Sequence, residues 1–260
     1  MFRTTKIFVL LFLAALFFSS CKTESAKDLS LNPEEYRKLG LPGHTRIWSI
    51  QDYINSNITL STLKSNFPYS LPRKSSKKSG AIFARLMDEK NLSFIYDKNI
   101  PLSTRAYTVQ HFTRFYSELQ SIYSVDVDDI GYYGDELADI NIFGLLVHDR
   151  MLELAFVIMN SDVEEAKDLQ FGMKTVKRNY LNLIDGLLDE QVKAEVYKED
   201  DLNTLSDKIT ASVSKNISWF VQSDKDSVTS WVENAMAGCP TEHIRQNFKK
   251  MLKIIEDTSK

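Results

Sequence analysis

Asn141, Gly144 and His148 stand three and four residues apart inside the most apolar stretch of the chain, residues 135–160. On a helix that spacing puts a carboxamide, a gap without a side chain and an imidazole on one face. A neutral imidazole carries one donor and one acceptor nitrogen. It can hold a ligand's polar group or, with a carboxylate brought from another helix, act as a general base. A core histidine satisfied by Asn141, a backbone carbonyl or a tyrosine hydroxyl gives the same pattern. Asn141, Gly144 and His148 are therefore the candidate ligand-binding residues, with His148 the candidate catalytic group. Of the four histidines only His148 falls where burial is expected; His44, His111 and His243 do not.

Little else in the chain spells out a reaction. A nucleophile elbow, a His-Glu-x-x-His zinc helix, a Cys-x-x-Cys pair, a Glu-x-x-His di-iron motif and a glycine-rich phosphate loop are all missing from the sequence. The sequence therefore gives no reason to expect a metal or a cofactor. Asp126, Asp128 and Asp129 resemble the start of a calcium loop, but the fifth and twelfth positions hold Ile130 and Leu137, which cannot ligate. Cys239 lies four residues before His243, a weak hint of a reactive thiol against the simpler reading of a small buried residue. The formal charge is −3, becoming −5 once residues 1–20, with Arg3 and Lys6, are removed. No extended basic face suggests nucleic acid as a partner.

At the N-terminus Arg3 and Lys6 precede an apolar run over residues 7–18, closed by Ser19, Ser20 and Cys21. The run is too short to span a bilayer and reads as a secretory signal. Phe18-Ser19-Ser20-Cys21 resembles the lipobox of bacterial lipoproteins, with Phe in place of the commoner Leu three residues before the cysteine. The resemblance covers residues 1–21 only. It implies cleavage before Cys21, acyl chains on that residue, and a protein held to the cell envelope as a membrane partner. Lys22, standing where inner-membrane retention would want Asp, implies the outer membrane where there are two.

The elements that must position the candidate line follow from hydrophobic period. Residues 22–35 are polar and aperiodic, the composition of a flexible tether. Residues 36–101 are broken by glycine and proline into an irregular third, with short helices near 49–55, 61–66 and 79–90 and a short strand at 92–96. Within it Arg73, Lys74, Lys77 and Lys78 form a basic loop able to touch anionic lipid. A helix capped by Ser103 or Thr104 carries Val109, Phe112, Phe115, Leu119 and Ile122 as core; its tyrosines, Tyr107, Tyr116 and Tyr123, are the alternative lining of a pocket.

The central helix follows, with Asp139, Asp149, Arg150 and Glu153 expected on its wet side. Ser161 and Glu164 then form a capping box that opens a long helix to about residue 197. Its residues Ala166, Leu169, Met173, Val176, Tyr180, Leu183 and Leu187 make a heptad seam. Helices over 200–221 and from Ser223 to Gly238, and a last one from Pro240, complete the chain.

The expectation is an all-α bundle of about six to eight helices: signal peptide 1–20, lipidated cysteine and tether 21–35, single helical domain 36–260. The leading function is non-catalytic, an envelope lipoprotein binding a protein partner or an apolar or peptide-like ligand. One alternative is an envelope hydrolase using His148 with a carboxylate; another is a structural protein pairing through the 166–187 seam.

Overall fold

The computed structural model describes residues 28–124, 131–161 and 172–259. Among them nine α-helices and no strand are found. They are α1 (Pro33–Lys38), α2 (Ile50–Asn66), α3 (Gly80–Leu86), α4 (Leu102–Tyr123), α5 (Gly134–Met159), α6 (Met173–Glu190), α7 (Glu199–Asn216), α8 (Gln222–Gly238) and α9 (Glu242–Asp257). The fold is an all-α helical bundle.

Helix α5 is its axis. Apolar residues occupy nearly every direction around it, including Leu137, Ile140, Phe143, Leu145, Val147, Leu152, Leu154 and Ile158, all buried. A helix apolar on all sides must be covered on all sides. Helices α4, α6 and α7 and the 3-10 helix Glu89–Tyr96 pack against it, α2 lies on α4, α8 on α6, and α9 closes over α7 and α8.

Several expectations give way to packing. The short strand at 92–96 is part of that 3-10 helix, whose buried Leu92 and Ile95 are three residues apart, one turn of a 3-10 spiral. The two short helices near 49–66 are one helix, capped by Ser49 and Asp52 in a reciprocal box. Weak local propensity through Ser56, Asn57 and Thr59 is overridden there by burial of Tyr53, Leu60 and Leu63. Residues 28–35, expected in the tether, belong to the body. Asn32 caps α1, Ser30 is buried, and Asp28 accepts from Ser76 Oγ at 2.8 Å.

The basic loop is also partly internal. Arg73 lies 3.7 Å from the fully buried Glu136 and 4.4 Å above the Tyr132 ring, while Lys74 pairs with Asp139 at 3.2 Å and Asp201 at 3.5 Å. Glu136 accepts the Lys74 backbone N–H at 2.8 Å, so it clamps this loop to the start of α5 besides suiting the helix dipole. Burial pushes its carboxyl pKa up, against the pull of Arg73.

Helix α6 ends at Glu190, short of residue 197, because Gln191 is buried at its C-cap and the chain turns back toward α5. In the heptad seam Val176, Tyr180 and Leu187 are buried within the chain, and Ile184 and Leu188 beside them face the same core. That part of the seam is spent on internal packing with α5 and α8 and is not free to pair two copies. Ala166, Leu169, the Glu164 half of the capping box and the Asp126–Asp129 loop lie outside the described residues.

Candidate functional site

The candidate line divides in two. Asn141 and Gly144 belong to a closed network. Asn141 is fully buried; its Oδ1 accepts from Gln120 Nε2 at 3.0 Å and Tyr116 Oη at 3.3 Å, and its Nδ2 donates to Tyr197 Oη at 3.1 Å. Tyr197 in turn donates to Glu190, which Lys193 holds at 2.6 Å. Gly144 is not space for a ligand, because a Cβ there would stand 2.2 Å from Cε2 of Tyr116. The tyrosine ring fills the gap.

His148 is different. Its Nδ1 lies 2.8 Å from the Gly144 carbonyl, an acceptor, so Nδ1 carries the proton in the neutral ring. Burial pushes the imidazole pKa down, outweighing that hydrogen bond, which favours the neutral ring at neutral pH. Nε2 then offers a lone pair and has no partner among the described residues, yet it is not among the sealed polar atoms, since the residue keeps 8% exposure. The Tyr116 ring stands edge-on to it with centroids 6.0 Å apart.

What His148 opens into is a groove of about 870 Å³ between α4 and α6, with α5 as its floor. The α4 wall presents Tyr107, Gln110, Thr113, Ser117 and Gln120; the α6 wall presents Asn179, Asn182, Gly186, Asp189 and Glu190. These positions recur at three and four residues, so each wall is one helical face. An adjoining hollow of about 440 Å³ shares Tyr107, Gln110, Thr113 and Asn179 and is floored by Met151, Leu154, Ala155 and Ile158. One end is rich in carboxamides and hydroxyls; the other is apolar.

Thirteen residue steps from Tyr107 to Gln120 make the α4 wall about 20 Å long. Carboxamides donate and accept, and at that length they match the repeating N–H and C=O of an extended chain of about six residues. The tyrosines expected as core or as pocket lining serve both ends. Tyr107 and Tyr116 line the groove, while Tyr123 is buried and donates to the Pro72 carbonyl at 2.6 Å.

The hydrolase reading needs a carboxylate on His148, and the geometry supplies Gly144 O instead. Asp149, expected on the wet side, is turned inward toward α7, where its Oδ1 accepts from Ser212 Oγ at 2.5 Å and Asn216 Nδ2 at 2.7 Å. It cannot serve a histidine on the other flank. Cys239 is buried and donates to the Met236 carbonyl at 3.3 Å, and the His243 ring reaches Asp207 at 2.8 Å; the two do not meet. Cys21 lies outside the described residues.

Sequence reasoning missed Tyr197, Glu190 and the α6 wall, and reached the α4 wall only through Tyr107 and Tyr116. The signal was present as polar residues at helical spacing, but that is also how any solvated face reads. Among the described residues no helix is long and apolar enough to cross a membrane. Compared with known proteins, the chain matches no family model, no curated protein and no solved structure.

Proposed function

We propose that this chain is a bacterial lipoprotein, exported to the cell envelope and anchored through Cys21, whose helical body binds a peptide-like ligand without catalysing a reaction. The observation that carries the binding role is the groove between α4 and α6: carboxamides on both walls, an apolar end, and an unpartnered imidazole acceptor on its floor. The lone pair of His148 Nε2 calls for a ligand N–H or O–H. The apolar hollow calls for a hydrophobic side chain a few residues further along.

Panning a displayed random dodecapeptide library against the purified protein tests this. Enriched peptides should bind wild type and lose at least tenfold in affinity on Asn182→Trp, which places an indole between the walls. Absence of enrichment, or binders indifferent to Asn182→Trp, Gln110→Ala and His148→Leu alike, would overturn the groove as the binding site. The anchor is tested separately by labelled fatty acid, which should appear on wild type and not on Cys21→Ser.

A further inference from the structure

We infer that the body lies directly against the bilayer that holds its acyl chains, with Leu29, Lys77 and Lys78 facing anionic phospholipid headgroups; this rests on the anchor reading above. The argument begins at Asp28, which is tied firmly to the fold. Ser76 Oγ donates to its Oδ2 at 2.8 Å, the Ser30 backbone N–H to its Oδ1 at 3.1 Å, and Lys78 Nζ to its carbonyl at 3.3 Å. Desolvation alone would raise the Asp28 pKa, but the hydrogen bonds from Ser30 and Ser76 together outweigh it and lower the pKa, so the carboxylate stays ionised.

Only residues 22–27 separate Cys21 from this fixed point. Seven peptide steps reach at most about 25 Å, and a flexible chain of that length averages about 15 Å. A compact body of this size has a radius of gyration of about 17 Å, so it is broader than its leash. The face around Asp28 cannot swing far from the membrane.

That face keeps the loop's exposed cations, Lys77 and Lys78, the second of which also reaches the Asp28 carbonyl. Arg73 and Lys74 are turned inward to Glu136, Asp139 and Asp201, whereas Lys77 and Lys78 are exposed in the same loop and Leu29 is 43% exposed beside the exit point. Close to an anionic surface each lysine strengthens association about fivefold. The competing orientation would use the exposed apolar pair Phe156 and Trp219, stacked at 5.1 Å. Phe156 lies 17 residues along α5 from Asp139, the partner of Lys74, or about 25 Å further along the helix.

The acylated full-length protein would be reconstituted in phosphatidylcholine vesicles with and without phosphatidylglycerol. A nitroxide is placed at Ser75→Cys or Asn160→Cys, each with Cys239→Ser, and its relaxation by a headgroup-chelated nickel ion is read. The label at 75 should relax much faster than that at 160, with a phosphatidylglycerol enhancement that Lys77→Gln and Lys78→Gln each reduce about fivefold. Equal relaxation in protein that co-floats with vesicles overturns the docking face alone. Faster relaxation at 160 overturns it in favour of the Phe156 and Trp219 end. Failure to co-float overturns the anchor, and the docking face with it.

Discussion

His148 and Asp149 are consecutive, yet α5 turns them onto different flanks, one side chain buried and one half-buried, and the two flanks treat the polar side chain differently. On the α7 side Asp149 receives Ser212 and Asn216, and Ser212 is itself held by the Tyr180 hydroxyl at 2.8 Å. There the Asp149 carboxylate is met from within the protein, although Asn216 Oδ1 beside it is buried without a partner among the described residues. On the α4 and α6 side the deeper residues, Asn141 and Gly144, are complete, and the network stops at His148 with one nitrogen unused. Buried polar groups are ordinarily paired; what sets His148 Nε2 apart from sealed unpaired atoms such as Asn216 Oδ1 is that it borders an open groove, where the proposed ligand would reach it.

The sharpest way to break the closed part is Gly144→Ala. The new methyl group collides with Tyr116, whose ring cannot retreat without losing Asn141 and its edge contact with His148. Overpacking of this kind costs about 3 kcal/mol, to be read as a lower urea midpoint. Tyr116→Leu in the same chain should recover part of the loss. An unchanged midpoint for Gly144→Ala would mean that the network is loose, and the contrast with His148 would fall.

Tyr197→Phe comes next. It removes the hydroxyl that accepts from Asn141 and donates to Glu190, leaving a buried carboxamide hydrogen unpaired. About 1–2 kcal/mol should be lost, with Gln120→Ala non-additive in a double-mutant cycle because both act on Asn141. Simple additivity would show that they do not form one unit.

The two flanks also differ in the sign of their pH dependence. Burial lowers the His148 pKa, so the unfolded chain takes up this proton first. Stability from this residue is intact above an unfolded value of about 6.5 and is lost as pH falls from there toward the depressed folded value, by no more than about 1.4 kcal/mol per pH unit. Burial raises the Asp149 pKa, so its contribution runs the other way. It is best below the unfolded carboxylate value of about 3.9 and declines as pH rises through the raised folded value. Urea midpoints followed against pH should show His148→Gln flattening the acid-side loss just below pH 6.5, and Asp149→Asn flattening the loss that begins at lower pH. A His148→Gln profile parallel to wild type would mean that the imidazole is not held neutral.

Much of this was legible in the chain and some was not, for separable reasons. The central helix, expected at 135–160, spans Gly134–Met159, because a pattern apolar on every side leaves no other element to build. Residues 92–96 were misread because a short apolar run does not distinguish a strand from one tight helical turn. The polar line was found by spacing, but reading Gly144 as open space required knowing where Tyr116 falls, which is a tertiary fact. Asp149 was placed in water because charge normally goes there; only the arrival of Ser212 and Asn216 from 63 and 67 residues away makes burial tolerable. Apart from Tyr107 and Tyr116, the groove walls were invisible, since the polar residues that read a ligand are the same types that face solvent.

The smallest effect bears on the open flank itself. Gly186 sits one turn before the end of α6 on the groove wall, and a Cβ there would meet nothing within 4 Å. Glycine at such a position costs about 0.5–1 kcal/mol relative to alanine, and unlike Gly144 it has no packing partner that requires it. Gly186→Ala should therefore raise the urea midpoint by that amount while narrowing the groove, so that peptides selected on wild type bind the stabilised variant more weakly. A gain in stability with unchanged binding would separate Gly186 from the ligand's path and move the contact surface toward Asn179 and the apolar hollow. A gain in one property matched by a loss in the other would identify the glycine as a concession of the helix to the site.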